Sequence, residues 1–315
     1  MPVYLTEISR ATSCAHPGCL CRDRVACYPS DLTDAQWELL RPEAEQVMAD
    51  LRRASGRPMT HDLRAVLDAV FYLVRNGIEW RALPVDFPPW DAVYAFYQRW
   101  NERGLPQRLT ERLRARLRVR SRRDAQPSAA IVDSQSVKAA ETVGAGTRGF
   151  DNGKKINGRK RHVAVDVQGF LLAVVVTAAN TGDRMGAKLL VIALLNTCTR
   201  LKLIWADAGY DGRPLTQWMR AVAGITLEII KRTELHTFKI VPRRWVVERS
   251  FGWLLRYRRL VRDYERRPEN HQALVYWATV MIMTRRLARR PSDPPITQRR
   301  GQPRSAAPQP NPAPT

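Results

Sequence analysis

The stretch RHVAVDVQGFLLAVVVTAAN (161–180) decides the fold class of this sequence. It is rich in valine, its centre is apolar on both faces, and a glycine interrupts it at position 169. This pattern predicts two β-strands joined by a turn at Gly169, that is, a hairpin. The run AAIVDSQSV (129–137), which comes shortly before it, predicts a further short strand that ends in polar residues.

Helical and extended patterns alternate along the rest of this half of the chain. Helical spacing is present at 182–198, 213–224, 245–265 and 268–288, and strands are predicted at 201–210 and 225–231. The order strand, hairpin, helix, strand, helix, strand, helix predicts an α/β fold with a mixed five-stranded sheet and flanking helices. This order matches the ribonuclease H-like architecture.

The N-terminal part of the chain predicts an all-α region. Helices are expected at 32–51, 60–76 and 90–104. Thr33 and Gln36 have the spacing of a capping box at the start of the first helix. With the arginine-rich segment RLTERLRARLRVRSRR (108–123), these helices resemble a helix-turn-helix module with a basic extension. The alternative is a plain helical bundle.

The charge of the chain indicates a polyanionic partner. Its 315 residues include 52 Lys and Arg against 30 Asp and Glu, which gives a formal net charge of +22. Such a field favours binding to a phosphate backbone, so nucleic acid is the leading partner. The alternative is a basic solvated surface of no specific function. No apolar run approaches the roughly 20 residues that cross a bilayer, so we expect a protein that does not enter the membrane.

Cysteines are concentrated at the N-terminus. Cys14, Cys19, Cys21 and Cys27 surround His16, while Cys198 lies apart. Their spacing, C-x4-C-x-C-x5-C, lacks the paired C-x2-C of common zinc sites, so a disordered leader is favoured over a structural zinc site. The leader has no apolar signal core, and the thiols are expected to stay reduced in the cytoplasm.

Three acidic residues lie where an apolar element ends or is interrupted. Asp133 follows AAIV, Asp207 follows LIWA, and Glu248 lies in a helix otherwise made of Trp, Val, Phe and Arg. An acid in such a setting is costly unless a partner compensates its charge. Neighbouring parallel strands would place Asp133 and Asp207 side by side, and a helix across that edge could add Glu248. Carboxylate oxygens suit Mg²⁺.

The segments IVDSQSVK (131–138), LIWADAGYDG (203–212) and RRWVVERSFGWLLRYRRLVRDYE (243–265) resemble the signatures of bacterial insertion-sequence transposases of the DDE class, the IS-five family. The resemblance extends from about Tyr28 to Leu287. It implies a ribonuclease H-like fold with Asp133, Asp207 and Glu248 as the catalytic and metal-binding triad for Mg²⁺, with Mn²⁺ as the alternative.

The same resemblance implies partners and a place of action. The substrate would be double-stranded DNA, namely the terminal inverted repeats of the element and the target DNA. The protein would act as a homodimer on DNA, associated with the nucleoid in the bacterial cytoplasm. The reaction would be DNA cleavage followed by strand transfer through two-metal phosphoryl transfer.

The expected division of the chain follows from the patterns and the resemblance together. It comprises a disordered leader at 1–27, a helical DNA-binding domain at 28–124, a ribonuclease H-like catalytic domain at 125–288 and a disordered, basic, proline-rich tail at 289–315.

Around the third acid the sequence departs from related families. Those families carry a Tyr-x2-Arg-x3-Glu-x6-Lys pattern, of which Arg244 and Glu248 keep the spacing. Val241 and Leu255 stand at the Tyr and Lys positions, which puts the roles of those two residues in doubt. Phosphate contacts are the expected role of these basic residues: Lys154, Lys155, Arg159, Lys160, Arg161, Arg244, Arg256 and Arg259, with Arg258 as a further candidate. The alternative is a flexible charged loop at 154–162 and an exposed basic face on the later helix.

Other polar and aromatic residues have simpler expected roles. Asp166 could face solvent, Asp183 is expected to cap a helix, and Asp211 is expected in a turn. Trp205, Trp245 and Trp253 are expected in the core.

Three functions remain open at this point. The first is an active Mg²⁺-dependent transposase, which the presence of all three acids favours. The second is an inactive relic or sequence-specific DNA-binding regulator in which the acids are structural. The third is a cellular nuclease of the same fold, which would need no specific DNA ends.

Overall fold

The computed structural model describes residues 24–50, 61–230 and 242–289, with the backbone alone at 242–244. Within these ranges no helix combines the length and apolarity that crossing a bilayer would require. Most of the leader with its first three cysteines, and the tail from residue 290, lie outside the described residues. Cys27 lies inside them and is an exposed free thiol.

Four helices form the N-terminal region of the described chain: α1 (Asp34–Asp50), α2 (Leu63–Asn76), α3 (Trp90–Glu102) and α4 (Leu105–Arg120). The predicted capping box is present, because the Gln36 N–H donates to Thr33 Oγ1 and the Thr33 N–H donates to Gln36 Oε1. The second helix begins later than expected, since Asp62 caps it through the Ala65 N–H. Gly77 ends α2 in the left-handed conformation, with φ of 72°.

The remaining elements follow the predicted order, but the helix expected at 245–265 ends at Leu254 and a 3₁₀ turn follows at 258–260. The strands are β1 (Ala129–Lys138), β2 (Gly149–Asp151), β3 (Ile156–Asp166), β4 (Leu171–Ala178), β5 (Leu203–Ala206) and β6 (Thr226–Ile229). The helices are α5 (Asp183–Leu195), α6 (Arg213–Ala223), α7 (Pro242–Leu254) and α8 (Pro268–Ala288). Gly169, with φ of 85°, makes the predicted hairpin turn between β3 and β4.

The strands form one mixed sheet. β3 pairs with β1 on one side and with β4 and the three-residue β2 on the other, all antiparallel. β1 continues in parallel to β5, and β5 in parallel to β6. The sheet therefore has the five predicted strands in the order β4-β3-β1-β5-β6, with β2 added beside β3. This is the mixed sheet of a ribonuclease H-like domain.

Two apolar layers cover the sheet. One face packs against α5 and α6 through residues such as Leu190 and Met219. The other face packs against α7 and α8, and the same apolar cluster continues into α1–α4 through residues such as Leu113 and Trp277. The expected domain boundary at residues 124 and 125 falls between α4 and β1 and stays a prediction, because the hydrophobic core runs across it.

The arginines of α4 are used inside the protein. Arg118 Nη1 lies 2.6 Å from Asp166 Oδ2, and Arg114 donates to the Leu171 carbonyl oxygen. The outward arginines Arg108, Arg112 and Arg116 pair with acids of α1. These five arginines of the predicted basic extension thus make internal contacts, and a helix-turn-helix function of this region stays a prediction.

Candidate active site

Asp133 lies in the middle of β1 rather than at its end. The strand continues for five residues beyond it, because the polar alternation of 134–138 still pairs with β3. The strand predicted at 129–137 is thereby confirmed, and it is one residue longer than expected. The Ser134 N–H donates to Asp133 Oδ1 at 2.7 Å, which orients the carboxylate.

Asp207 directly follows β5. Ile131 of β1 is level with Trp205 of β5, so two residues further along the parallel strands Asp133 comes level with Asp207. Asp207 also caps the short 3₁₀ turn at 208–210, because its Oδ1 accepts from the Gly209 N–H at 2.9 Å. The sequence correctly predicted that parallel strands bring these two acids together.

One small cavity connects the two acids to helix α7. Its lining residues are Ile131, Val132, Asp133, Ala206, Asp207, Ile230 and Val247. Val247 is buried on the inner face of α7, while the next residue, Glu248, is exposed. Glu248 thus follows a lining residue of the cavity on α7 but does not itself line it.

The donor chemistry of this cavity suits a hard divalent cation. Mg²⁺ is usually held by one or two carboxylates and keeps several waters, so Asp133 and Asp207 supply the ligands that it prefers. Within the described ranges, however, no three His, Cys, Asp or Glu side chains are grouped closely enough to hold a metal ion together. Glu248 therefore does not complete a ready-made triad here.

The expected DNA-contact stretch before the hairpin is largely interior. Arg159 and Arg161 are fully buried in β3, where Arg159 pairs with Asp263 and Arg161 donates to His271 Nε2 and to the Leu260 carbonyl oxygen. Lys160 is buried between Asp151 and Asp183. Phosphate contacts by these three residues were wrongly expected, because the stretch is a central strand and not a charged loop.

Other basic residues divide between surface and interior. Arg259 is 7% exposed and pairs with Glu265, so its expected phosphate contact was also wrong. Lys154, Lys155 and Arg256 are exposed, and Lys154 Nζ donates to the Ser134 carbonyl oxygen beside Asp133. The side chain of Arg244 lies outside the described residues, as does Val241.

Two of the remaining acids differ from expectation. Asp166 does not face solvent, since it is fully buried against Arg118. Asp183 is the first residue of α5 and not its cap, which is Gly182. Its carboxylate instead accepts from the Ser134 hydroxyl at 2.8 Å. Asp211 ends the 208–210 turn as expected.

The three tryptophans that were expected in the core differ in their burial. Trp205 is buried and donates to Glu228. Trp245 is 42% exposed, so its expected place in the core was wrong. Trp253 is half-buried and stacks on the guanidinium groups of Arg249 and Arg286.

Sequence reasoning missed Tyr210. Its side chain is buried, and this burial, followed by the carboxylates of Asp133, Asp183 and Asp207, raises the pKa of the phenol. The available signal was its position three residues after Asp207, in the short turn that Asp207 caps.

Fold and site together define a ribonuclease H-like domain whose two neighbouring parallel strands each present a carboxylate at one cavity. Residues 124–283, half of the chain, match the family described as "Transposase DDE domain". The chain therefore belongs to the DDE transposase family.

Two further similarities agree with this assignment. Residues 32–110 match the family described as "Putative transposase of IS4/5 family". The chain is also 32% identical, over 139 residues, to a protein of Burkholderia cepacia described as "Putative transposase for insertion sequence element IS402". That alignment covers 42% of this chain and 65% of the relative's length.

Proposed function

We propose that this protein is an active transposase that cleaves the ends of its insertion sequence and joins them to target DNA. The observation that carries the proposal is the register of β1 and β5, which puts Asp133 and Asp207 level with each other at one cavity of a DDE domain. Carboxylates at level positions of adjacent parallel strands can bind one divalent cation together.

In this proposal Asp133, Asp207 and Glu248 hold divalent cations, with Mg²⁺ as the physiological ion and Mn²⁺ as a substitute. DDE transposase domains generally use divalent metal ions. A bound pair of such ions would activate the attacking hydroxyl group and stabilise the leaving oxygen of the DNA strand. Helix α7 brings Glu248 to this site when DNA binds, since its neighbour Val247 already lines the cavity.

The chain's own residues position the substrate in this scheme. Ser134 and Gly209 fix the two strand carboxylates through backbone N–H groups. Lys154, exposed beside Ser134, would contact a phosphate of the bound DNA, and Lys155 and Arg256 would extend the contact. We further propose that two copies act together on paired DNA ends, close to the nucleoid.

The test is cleavage of DNA that carries the element's ends, with purified protein and Mg²⁺. Asp207→Asn keeps a side chain that caps the 208–210 turn but removes the negative charge. A bound metal ion would stabilise the transition state by several kcal/mol. Its loss should lower the cleavage rate by at least about 10²-fold. Asp211→Asn, which removes an exposed acid four residues away, is the matched control and should retain activity.

A second function, a DNA-binding relic or regulator, is favoured by one observation. Among the residues described, no three metal-ligating side chains form a complete group. If the wild-type protein binds the DNA ends but does not cleave them with either Mg²⁺ or Mn²⁺, this second function replaces the first. If it cleaves DNA without regard to the inverted repeats, it is a nuclease of the same fold.

A further inference from the structure

Asp183 is held by two strands of the sheet, although it belongs to helix α5. Its Oδ1 accepts from the Ser134 hydroxyl at 2.8 Å and lies 3.2 Å from Lys160 Nζ. Ser134 follows Asp133 on β1, and Lys160 lies on β3. Both donors use the same oxygen, and within the described part of the chain no hydrogen bond is donated to Oδ2. The carboxylate is thus fixed in place through one oxygen only.

The other oxygen of Asp183 faces Asp207 across Gly209. A methyl group built on Gly209 would lie 3.6 Å from Asp183 Oδ2 and 3.1 Å from Asp207 Oδ1. Two carboxylate oxygens therefore border one small volume. Two carboxylate oxygens on opposite sides of one volume are the kind of ligands that a hard divalent cation prefers.

The hydroxyl group of Tyr210 independently points to a ligand in the same place. The residue is 1% exposed, and its Oη has no hydrogen-bond partner. A protonated phenol is a hydrogen-bond donor, and the neighbouring Ser134 hydroxyl gives its own proton to Asp183. A buried donor without an acceptor is costly, and a water in the hydration shell of a cation would satisfy it.

We propose that Asp183 is a fourth carboxylate of the cation site and binds a divalent cation together with Asp207. The inference rests on the proposed function, because it adds a ligand to the same site. It explains why Asp183 is anchored by the sheet rather than used to cap its own helix.

The test measures binding of Mn²⁺ and Mg²⁺ to the purified full chain by calorimetry, without DNA. Asp183→Asn should weaken the affinity for either ion by about tenfold or more. The matched control is Asp151→Asn. Asp151 also pairs with Lys160, at 3.7 Å, and also accepts from a β1 serine, Ser136. The Asp151→Asn variant therefore also loses an ion pair with Lys160. Its affinity for Mn²⁺ and Mg²⁺ should stay within about twofold of that of the wild type.

The Gly209→Ala variant tests the same inference in a second way. It places a methyl group between the oxygens of Asp183 and Asp207 and removes no charge and no hydrogen bond. It should also weaken ion binding, while thermal unfolding without metal confirms that each variant is folded. If the Asp183→Asn and Asp151→Asn variants bind the ions with equal affinity, the inference is overturned. If Asp183→Asn does not fold, an unchanged ion affinity of Gly209→Ala overturns it.

The outcomes also separate this inference from the proposed function. If Asp207→Asn loses ion binding and DNA cleavage but Asp183→Asn keeps both, only the role of Asp183 fails. If the wild-type chain binds neither ion, both proposals fail together.

Discussion

At the scale of single residues, the protein depends on buried charges that must be paired. Arg159 and Asp263 are both fully buried and lie 3.0 Å apart. Asp263→Asn leaves the guanidinium without its counter-charge, so we expect the free energy of unfolding to fall by about 3–5 kcal/mol. Urea denaturation measures this loss. A loss below about 1 kcal/mol, as expected for an exposed pair, would show that this ion pair does not stabilise the fold.

Asp68 provides a pH-dependent test at the same scale. Burial raises its pKa to about 7, although the Leu32 N–H and Arg24 oppose this shift. Between pH 4 and pH 7 the unfolded chain releases this proton while the folded protein keeps it, so stability falls as the pH rises through that window. Asp68→Asn cannot ionise. The melting temperature of the variant minus that of the wild type should therefore increase from pH 5 to pH 8. A difference that stays constant over this range would contradict a raised pKa of Asp68.

The residues of the candidate site could be predicted from the sequence only in part. Asp133 and Asp207 were identified because an acid within an apolar strand demands a partner. Arg159 and Arg161 were misread because a run of basic residues is usually exposed, and only tertiary contacts with Asp263 and His271 make their burial possible. The contact between Asp183 and Ser134 joins residues 49 positions apart, which no local pattern reveals.

At the scale of elements, the approach of α5 to β3 fixes the site, because α5 carries Asp183. Gly186 of α5 lies directly over the ring of His162, so that an added Cβ would overlap that ring. Gly186→Ala should lower the free energy of unfolding by about 1–3 kcal/mol through overpacking. Gly252→Ala, in α7 with open space around it, is the matched control and should stabilise by about 0.5–1 kcal/mol. Equal effects in thermal denaturation would rule out close packing of α5 on β3.

The order of elements was predictable because each strand and helix carries its own hydrophobic period. The strand β1 was predicted to within one residue, and its polar end at 134–138 is held by pairing with β3. The added strand β2 was not predicted, because its three residues are too few for any period to be read.

At the scale of the whole molecule, the net charge of +22 predicts salt-sensitive binding to DNA. With about six phosphate contacts, affinity should fall by roughly 10³-fold between 50 and 200 mM salt. Lys154→Ala should reduce the slope of log affinity against log salt by about 1, because Lys154 lies beside the proposed active site. Lys202→Ala removes an exposed lysine at the opposite end of β5 and should leave the slope unchanged. A flat salt response of the wild type would contradict phosphate binding.

We expect Asp133, Asp207 and Glu248 to share one cation site, and iron-directed cleavage of the protein measures this. Fe²⁺ bound in place of Mg²⁺, with ascorbate and peroxide, cuts the backbone close to its ligands. With DNA ends present, we predict cuts near residues 133, 207 and 248 together, all lost in Asp207→Asn. Cuts near 133 and 207 without any near 248, or cuts that persist in Asp207→Asn, would contradict a shared site.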